Sequence, residues 1–302
     1  MDAHVVERTT RLGRISEATA RLGATAPAEG LFVVSAIFHY LGPAFAVLLF
    51  ARVEVLGVAW LRIASAALVF AAWRRPWRGV AGLDSEGGRV LVAWGGVLGV
   101  MNACFYLAID RLPLATVGAI EFLPVIVLAA VGMRTVRNLG ALAFAVGGVY
   151  LLTDVQLAAA PLGVAFAFAN AGLFALYIVL AHRVSRRGAM GGIDGLGAAM
   201  LIAAVVVTPI GAWEAAPALV DPLALAAGVG VGVSSSVIPY VTDQLAMARL
   251  ARSTYALLVS LLPATATVIG VIVLAQVPTP IEVAGVCCVV GGVALHRERA
   301  AA

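Results

Sequence analysis

Crossing a hydrocarbon core about 30 Å thick takes roughly 20 apolar residues in a helix that rises 1.5 Å per residue. Ten segments of this chain meet that requirement, near residues 29–50, 55–73, 90–109, 114–133, 139–155, 162–181, 195–213, 223–247, 254–275 and 280–296. The fold they require is an all-α integral membrane protein with ten transmembrane helices. Composition agrees: 62% of the 302 residues are apolar, 12% are charged and the mean hydropathy is +1.03, where soluble domains are near half apolar. The longest link, 74–89, has no room for a folded domain outside the bilayer.

Charge sorts the links by side. All twenty basic residues are arginine, and cytoplasmic loops carry the basic excess. Arg8, Arg11, Arg14, Arg21, Arg74, Arg75, Arg78, Arg89, Arg134, Arg137, Arg183, Arg186, Arg187, Arg249, Arg252, Arg297 and Arg299 fall on one side. Only Arg52 and Arg111 fall on the other, and Arg62 lies within a span. Both termini are therefore expected in the cytoplasm, with residues 1–28 a mobile tail and 297–302 a short one. The apolar run after the first tail is too long for a signal peptide. A net charge of +4, placed this way, gives no reason to expect a nucleic-acid partner. Cys104, Cys287 and Cys288 lie in apolar runs without ligand spacing, so neither a disulfide nor a metal site is expected.

An internal repeat pairs the fourth segment with the ninth. Residues 106–132 and 244–270, offset by 138, share Leu107/Leu245, Ala108/Ala246, Arg111/Arg249, Leu112/Leu250, Thr116/Thr254, Leu123/Leu261 and Gly132/Gly270. The offset divides ten spans into five plus five, 29–155 and 156–296. Five is odd, so the second half enters from the opposite side, the inverted-repeat plan of many secondary transporters. Arg111 outside and Arg249 inside fit that inversion. In such proteins the substrate site lies between the halves near the midplane and is reached from each face in turn.

Ionisable groups cost about 2.5 to 3.5 kcal/mol in the hydrocarbon, and survivors face a cavity or a partner. Arg62 and Glu121 each sit seven residues from the outer end of a span, about 10 Å deep at 1.5 Å per residue. Asn102 and Asn170 reach a comparable depth. Two readings are open for Arg62: a guanidinium for a substrate carboxylate, or a structural ion pair with Glu121. Glu121 is suited to a substrate ammonium or a coupled proton. Pro43, Pro124, Pro239 and Pro263 cannot donate to the carbonyls of His39, Ile120, Ser235 and Val259. Backbone broken in this way is tolerated at membrane depth where protein or a cavity surrounds it. It serves as a hinge, or it reflects the general frequency of proline in membrane helices.

His39 is a proton relay or a ring bonded to a nearby carbonyl. Tyr40, Tyr177 and Tyr240 offer an aromatic wall with a hydroxyl, or plain packing. Ser234, Ser235 and Ser236 beside Gly228, Gly230 and Gly232, and Gly95 with Gly99, read as close helix packing. Asp243 and Gln244, with Arg249 and Arg252 just beyond, form either an inner gate or a solvated helix end.

With these positions in hand, the chain resembles the EamA-type transporters of the drug/metabolite transporter superfamily, and within it the threonine/homoserine exporter group. The resemblance spans residues 30–296 and is carried by WLRIASAALVFAAWRRPWR at 60–78, MNACFYLAIDRLPLATVGAIEF at 101–122, ALYIVLAHRV at 175–184 and IPYVTDQLAMARL at 238–250. It implies ten helices in two inverted repeats, no tightly bound cofactor, and export of small metabolites, often amino acids, across a bacterial cytoplasmic membrane. Arg62, Asn102, Tyr106, Glu121, Tyr177 and Tyr240 fall in its recurrent motifs. The chain departs from it at His39, Tyr40 and Leu41, where these exporters tend to carry a glutamine and glycine run. It departs again at Leu262, where many members have an acid.

The partners expected are a small-molecule substrate, the lipid bilayer and protons, with the chain a monomer or weak homodimer. One intramembrane histidine and one mid-span acid leave little to assemble into an enzyme, and no segment reads as a channel filter.

Overall fold

A computed structural model describes residues 26–132, 135–157, 159–186, 190, 192–250, 252–259 and 261–295. The reading of residues 1–25 as a tail, and the placements of Arg134, Arg187, Arg297 and Arg299, lie outside the described residues. So do the side chains of Arg186 and Arg252.

The described residues form helices and their connections. The main ones are α1 (Ala28–Leu49), α2 (Val55–Arg74), α3 (Ser85–Ile109), α4 (Leu114–Gly132), α5 (Val136–Leu157), α6 (Pro161–Arg186), α7 (Gly192–Glu214), α8 (Pro222–Met247), α9 (Arg252–Val259), α10 (Leu262–Leu274) and α11 (Pro280–Leu295). Among the described residues seven, α1 to α3 and α5 to α8, contain stretches long and apolar enough to cross a membrane, and three shorter apolar stretches fall on α4, α10 and α11. Large side chains such as Val205, Ile210, Trp213 and Ile272 point outward. A soluble surface does not expose apolar groups on that scale, whereas lipid accommodates them.

Each proline acts differently on its helix. Pro43 and Pro124 are carried inside α1 and α4 without ending them. Pro239 follows a π-helical turn at Val233–Val237, inside α8, where the backbone ladder changes step. Pro263 ends a helix: the single segment expected over 254–275 is divided, α9 stopping at Val259 and α10 starting at Leu262 with the proline in its first turn. A proline ring clashes with the carbonyl four residues back, and here the chain yields to that clash.

Helix ends are closed across the bundle. Glu214 on α7 accepts from the amide of Leu56 at 3.1 Å, and Gln276 accepts from that of Leu114 at 3.0 Å. At the arginine-rich end, Arg74 forms a two-pronged pair with Asp194, 2.7 and 3.2 Å, and Arg249 donates to the carbonyl of Ala26 at 2.7 Å. Helix α2 packs on α7, α3 on α6 and α7, α1 on α8 and α10, α4 on α6 and α10, and α5 on α11.

Glycine permits the closest crossings. Gly95 of α3 lies against Ile202 and the Ala199 carbonyl of α7, as its spacing with Gly99 predicts. At the α1–α8 crossing, a β-carbon on Gly42 would lie 2.1 Å from Ser235 Oγ and 2.7 Å from Ser235 N. The backbone itself blocks that space, so rotation of the serine cannot make room. Gly42→Ala is expected to lower stability by about 1–3 kcal/mol, the usual cost of overpacking. Thermal unfolding of detergent-purified protein, compared with Gly96→Ala, where a β-carbon meets nothing within 4 Å, checks this.

Three buried apolar clusters lie among the described residues, and the two larger ones meet at Arg62. One includes Tyr40 and Tyr106 and the other packs Tyr177 and Tyr240; Leu61 belongs to the first and Ile63 to the second. Arg62 sits between them.

Candidate functional site

Arg62 is 5% exposed, and its partners are all neutral. Nε donates to Ser236 Oγ at 3.0 Å, Nη2 donates to the Ser235 carbonyl at 3.3 Å, and the guanidinium lies over the Tyr106 ring, 5.4 Å from its centre. The Ser235 carbonyl is the one that Pro239 leaves without a donor. Proline frees the acceptor, the π-turn places it, and an arginine on α2, which packs directly on α8, takes it. Ser65 and the Arg62 carbonyl lie within reach of Gly232, whose missing side chain lets α2 come this close to α8.

No carboxylate among the described residues is within ion-pairing distance of Arg62. Of the two readings its sequence position leaves open, a direct Arg62–Glu121 pair is not the arrangement found. Glu121 is also buried, 6% exposed; its Oε1 accepts from Asn170 Nδ2 at 3.2 Å, and its Oε2 has no hydrogen-bond partner. Asn170, fully buried, leaves its own carbonyl oxygen without a donor. Neither the Tyr40 hydroxyl nor the Tyr106 hydroxyl makes an aligned hydrogen bond, although the latter sits beside Ser235 and Arg62. Buried polar atoms in native proteins are nearly always paired, and each exception calls for a reason. Of the nine such atoms among the described residues, five, on Tyr40, Tyr106, Glu121, Asn170 and Ser235, lie on α1, α3, α4, α6 and α8, the helices that hold or touch Arg62 and Glu121.

The other expected residues divide. Asn102 is buried at the expected depth, but its amide donates back to the Leu98 carbonyl at 2.8 Å, which ties it to its own helix. It lies one turn before Tyr106. His39 is part-buried and meets the Tyr40 ring edge-on at 5.0 Å. Among the described residues it donates to no carbonyl, so that alternative is not the one observed. Tyr177 stacks on Phe174 and tilts against Trp94, with centroids 6.1 and 5.7 Å apart. Tyr240 packs, with Tyr177, against the second apolar cluster, one turn before Asp243 on α8.

Asp243 is part-buried. Both its oxygens accept from the Tyr255 hydroxyl, at 2.8 and 3.0 Å, which joins α8 to α9. Ser235, Ser236 and Tyr255 are the contributors that sequence reasoning passed over. The carbonyl freed by Pro239 was the available signal for the first two. On the opposite side of the π-turn, a cavity of about 460 Å³ between α1 and α8 is lined by Phe45, Leu48, Arg52, Leu223, Val231 and Ser234 among others.

The membrane-spanning candidates enclose a buried, incompletely satisfied polar cluster, and comparison with known proteins assigns the chain to a class of small-molecule transporters. The profile of the EamA-like transporter family matches residues 161–297. The chain is 32% identical over 256 residues to the threonine/homoserine exporter RhtA of Salmonella typhimurium strain LT2, covering 82% of this chain and 84% of the relative. It is also 32% identical over 244 residues to the threonine/homoserine exporter RhtA of Escherichia coli K12, 80% and 81% covered. A solved crystal structure at 20% identity superposes with a TM-score of 0.56 over 88% of this chain and 96% of its own, which shows a shared fold. The chain belongs to the EamA-like transporter family of the drug/metabolite transporter superfamily, and is a multi-pass membrane protein that moves small molecules.

Proposed function

We propose that this protein is a secondary active exporter of small amino acids, threonine and homoserine foremost, and that it works by alternating access with proton coupling. One observation carries the reading: buried Arg62 holds only neutral acceptors while buried oxygens of Glu121, Asn170 and Tyr40 go without donors. A substrate carboxylate makes stronger, charge-assisted bonds to Arg62 than Ser235 and Ser236 do. A substrate hydroxyl has the Asn170 carbonyl and the Tyr40 hydroxyl to meet. Glu121 carries the coupled proton. Threonine and homoserine, the solutes for which the relatives are named, agree with this polarity.

The proposed architecture is ten spans in two inverted repeats, 29–155 and 156–296, with both termini cytoplasmic in a bacterial cytoplasmic membrane. The helix packing supports it. Exchanging α1 with α6, α2 with α7, α3 with α8, α4 with α9 and α10 together, and α5 with α11 maps the most extensive helix pairs onto one another. The pairs α2–α7, α4–α10 and α5–α11 are unchanged, while α3–α6 becomes α8–α1 and α4–α6 becomes α10–α1. Rocking of one half on the other needs such a relation.

Counterflow of radiolabelled threonine, homoserine and an aromatic amino acid in proteoliposomes tests the reading. Exchange of threonine or homoserine, with net efflux accelerated by an imposed pH gradient, is expected. No exchange of any of the three by well-folded protein would overturn it.

A further inference from the structure

Helix α8 places Ser236, Tyr240 and Asp243 at successive turns, residues three and four apart sharing a face. That face runs from the buried cluster to the arginine-rich end. The residues around its far end differ from those at the centre in being accessible: Tyr177, Tyr240, Asp243 and Tyr255 are all part-buried.

Asp243 has an unusual set of partners for an acid near a membrane. A carboxylate offers about four acceptor positions, and the single Tyr255 hydroxyl is shared between its two oxygens. No cation pairs with it among the described residues. Among the described side chains at that end, Arg74 pairs with Asp194 and Arg249 donates to the Ala26 carbonyl. The side chains next to it are aromatic. Tyr255, which donates to it, meets the Phe32 ring edge-on at 5.5 Å, Tyr240 stands one turn before it on α8, and Tyr177 packs with Tyr240 against the same apolar cluster. Next to Tyr177 is Trp94, 4% exposed, whose indole N–H has no acceptor.

A carboxylate walled by aromatic rings is a receptor for an alkylammonium group, which gains from the charge and from the ring faces together. We propose that Asp243, with Tyr177, Tyr240 and Tyr255, forms a separate binding site for the protonated amino group of the transported solute, at the mouth that leads to Arg62. This rests on the reading of the chain as an exporter of amino-acid-like solutes. The solute docks there by its amine, displaces part of the Tyr255 hydrogen bond, and passes along the α8 face until its carboxylate reaches Arg62. Asp243 thereby favours zwitterions over simple acids.

The test is equilibrium binding of radiolabelled 1-amino-2-propanol, an amine without a carboxylate, to the full chain in nanodiscs. It is carried out in the Glu121→Gln background so that the central carboxyl group contributes nothing. Saturable binding is expected, weakened at least tenfold by Asp243→Asn. Tyr255→Phe, which frees both carboxylate oxygens, is expected to tighten it two- to fivefold. Equal binding by Asp243→Asn, or a Tyr255→Phe protein that folds but binds as weakly as Asp243→Asn, would overturn the site and leave a plain tie between α8 and α9. If Asp243→Asn does not fold, the direction of the Tyr255→Phe change decides alone. Amine binding that depends on Asp243, in a protein that exchanges no amino acid in counterflow, would sink the exporter reading and leave this site standing.

Discussion

Arg62→Ala is expected to abolish exchange, lowering the rate at a fixed substrate concentration by at least about 100-fold, about 2.8 kcal/mol at about 1.4 kcal/mol per tenfold. Two losses combine. The substrate carboxylate loses its charged partner, and the Ser235 carbonyl and Ser236 hydroxyl lose the donors that satisfy them. The second loss acts on the empty protein as well, at about 1–3 kcal/mol for each buried group left unpaired. Arg62→Lys separates the two. An ammonium keeps the charge but cannot reach Ser236, the Ser235 carbonyl and a carboxylate with one planar fork. A folded Arg62→Lys protein with exchange reduced more than tenfold assigns the guanidinium to substrate. Full exchange by that variant would return Arg62 to a structural role. Folded yield on size-exclusion chromatography, measured beside counterflow, keeps the losses distinct.

The second large effect is expected at Glu121. Glu121→Gln keeps an oxygen for the Asn170 amide, which the structure places at 3.2 Å from the carboxyl group, but it cannot gain and release a proton. Exchange without a gradient is therefore expected to persist within a few-fold of wild type. Stimulation of net efflux by a pH gradient is expected to vanish. A Glu121→Gln protein that folds and still responds fully to the gradient would remove this residue from coupling and leave it as a hydrogen-bonding partner of Asn170.

The order of helices along the chain was legible because lipid enforces it. Runs of apolar residues of the right length announce spans, and the starts of α2, α4 and α11 fall where the hydropathy pattern puts them. What hydropathy does not report is continuity. Val259 to Leu262 is as apolar as its surroundings, yet the clash of Pro263 with the backbone four residues earlier divides that span. Pro43 and Pro124, identical in local chemistry, are absorbed.

The site was legible in part and for definite reasons. Arg62, Glu121 and Asn170 stood out because charge and amide groups are costly in hydrocarbon. Counting residues gave their depth but not their direction. Asn102 shares that depth and spends its amide on its own helix. Ser235 and Ser236 were hidden in a run of small residues that also serves close packing, as the contact with Gly42 shows. Tyr255 was hidden because its partner Asp243 is twelve residues away across a turn, and no pattern in the sequence links them.

Labelling of a cysteine at position 236 tests most directly whether the buried cluster is the substrate site and faces each side in turn. The Ser236→Cys change is made with Cys104, Cys287 and Cys288 replaced by alanine, in proteoliposomes of fixed orientation. A membrane-impermeant maleimide is then added to either side, with and without threonine or homoserine. The expected result is labelling from both sides and slower labelling from both when substrate is present. Ser236 is fully buried in this structure, so labelling from each side reports an opening in each direction. A cysteine reached from neither side, or labelled at a rate that substrate does not change, would contradict the assignment of Arg62 and its neighbours to transport.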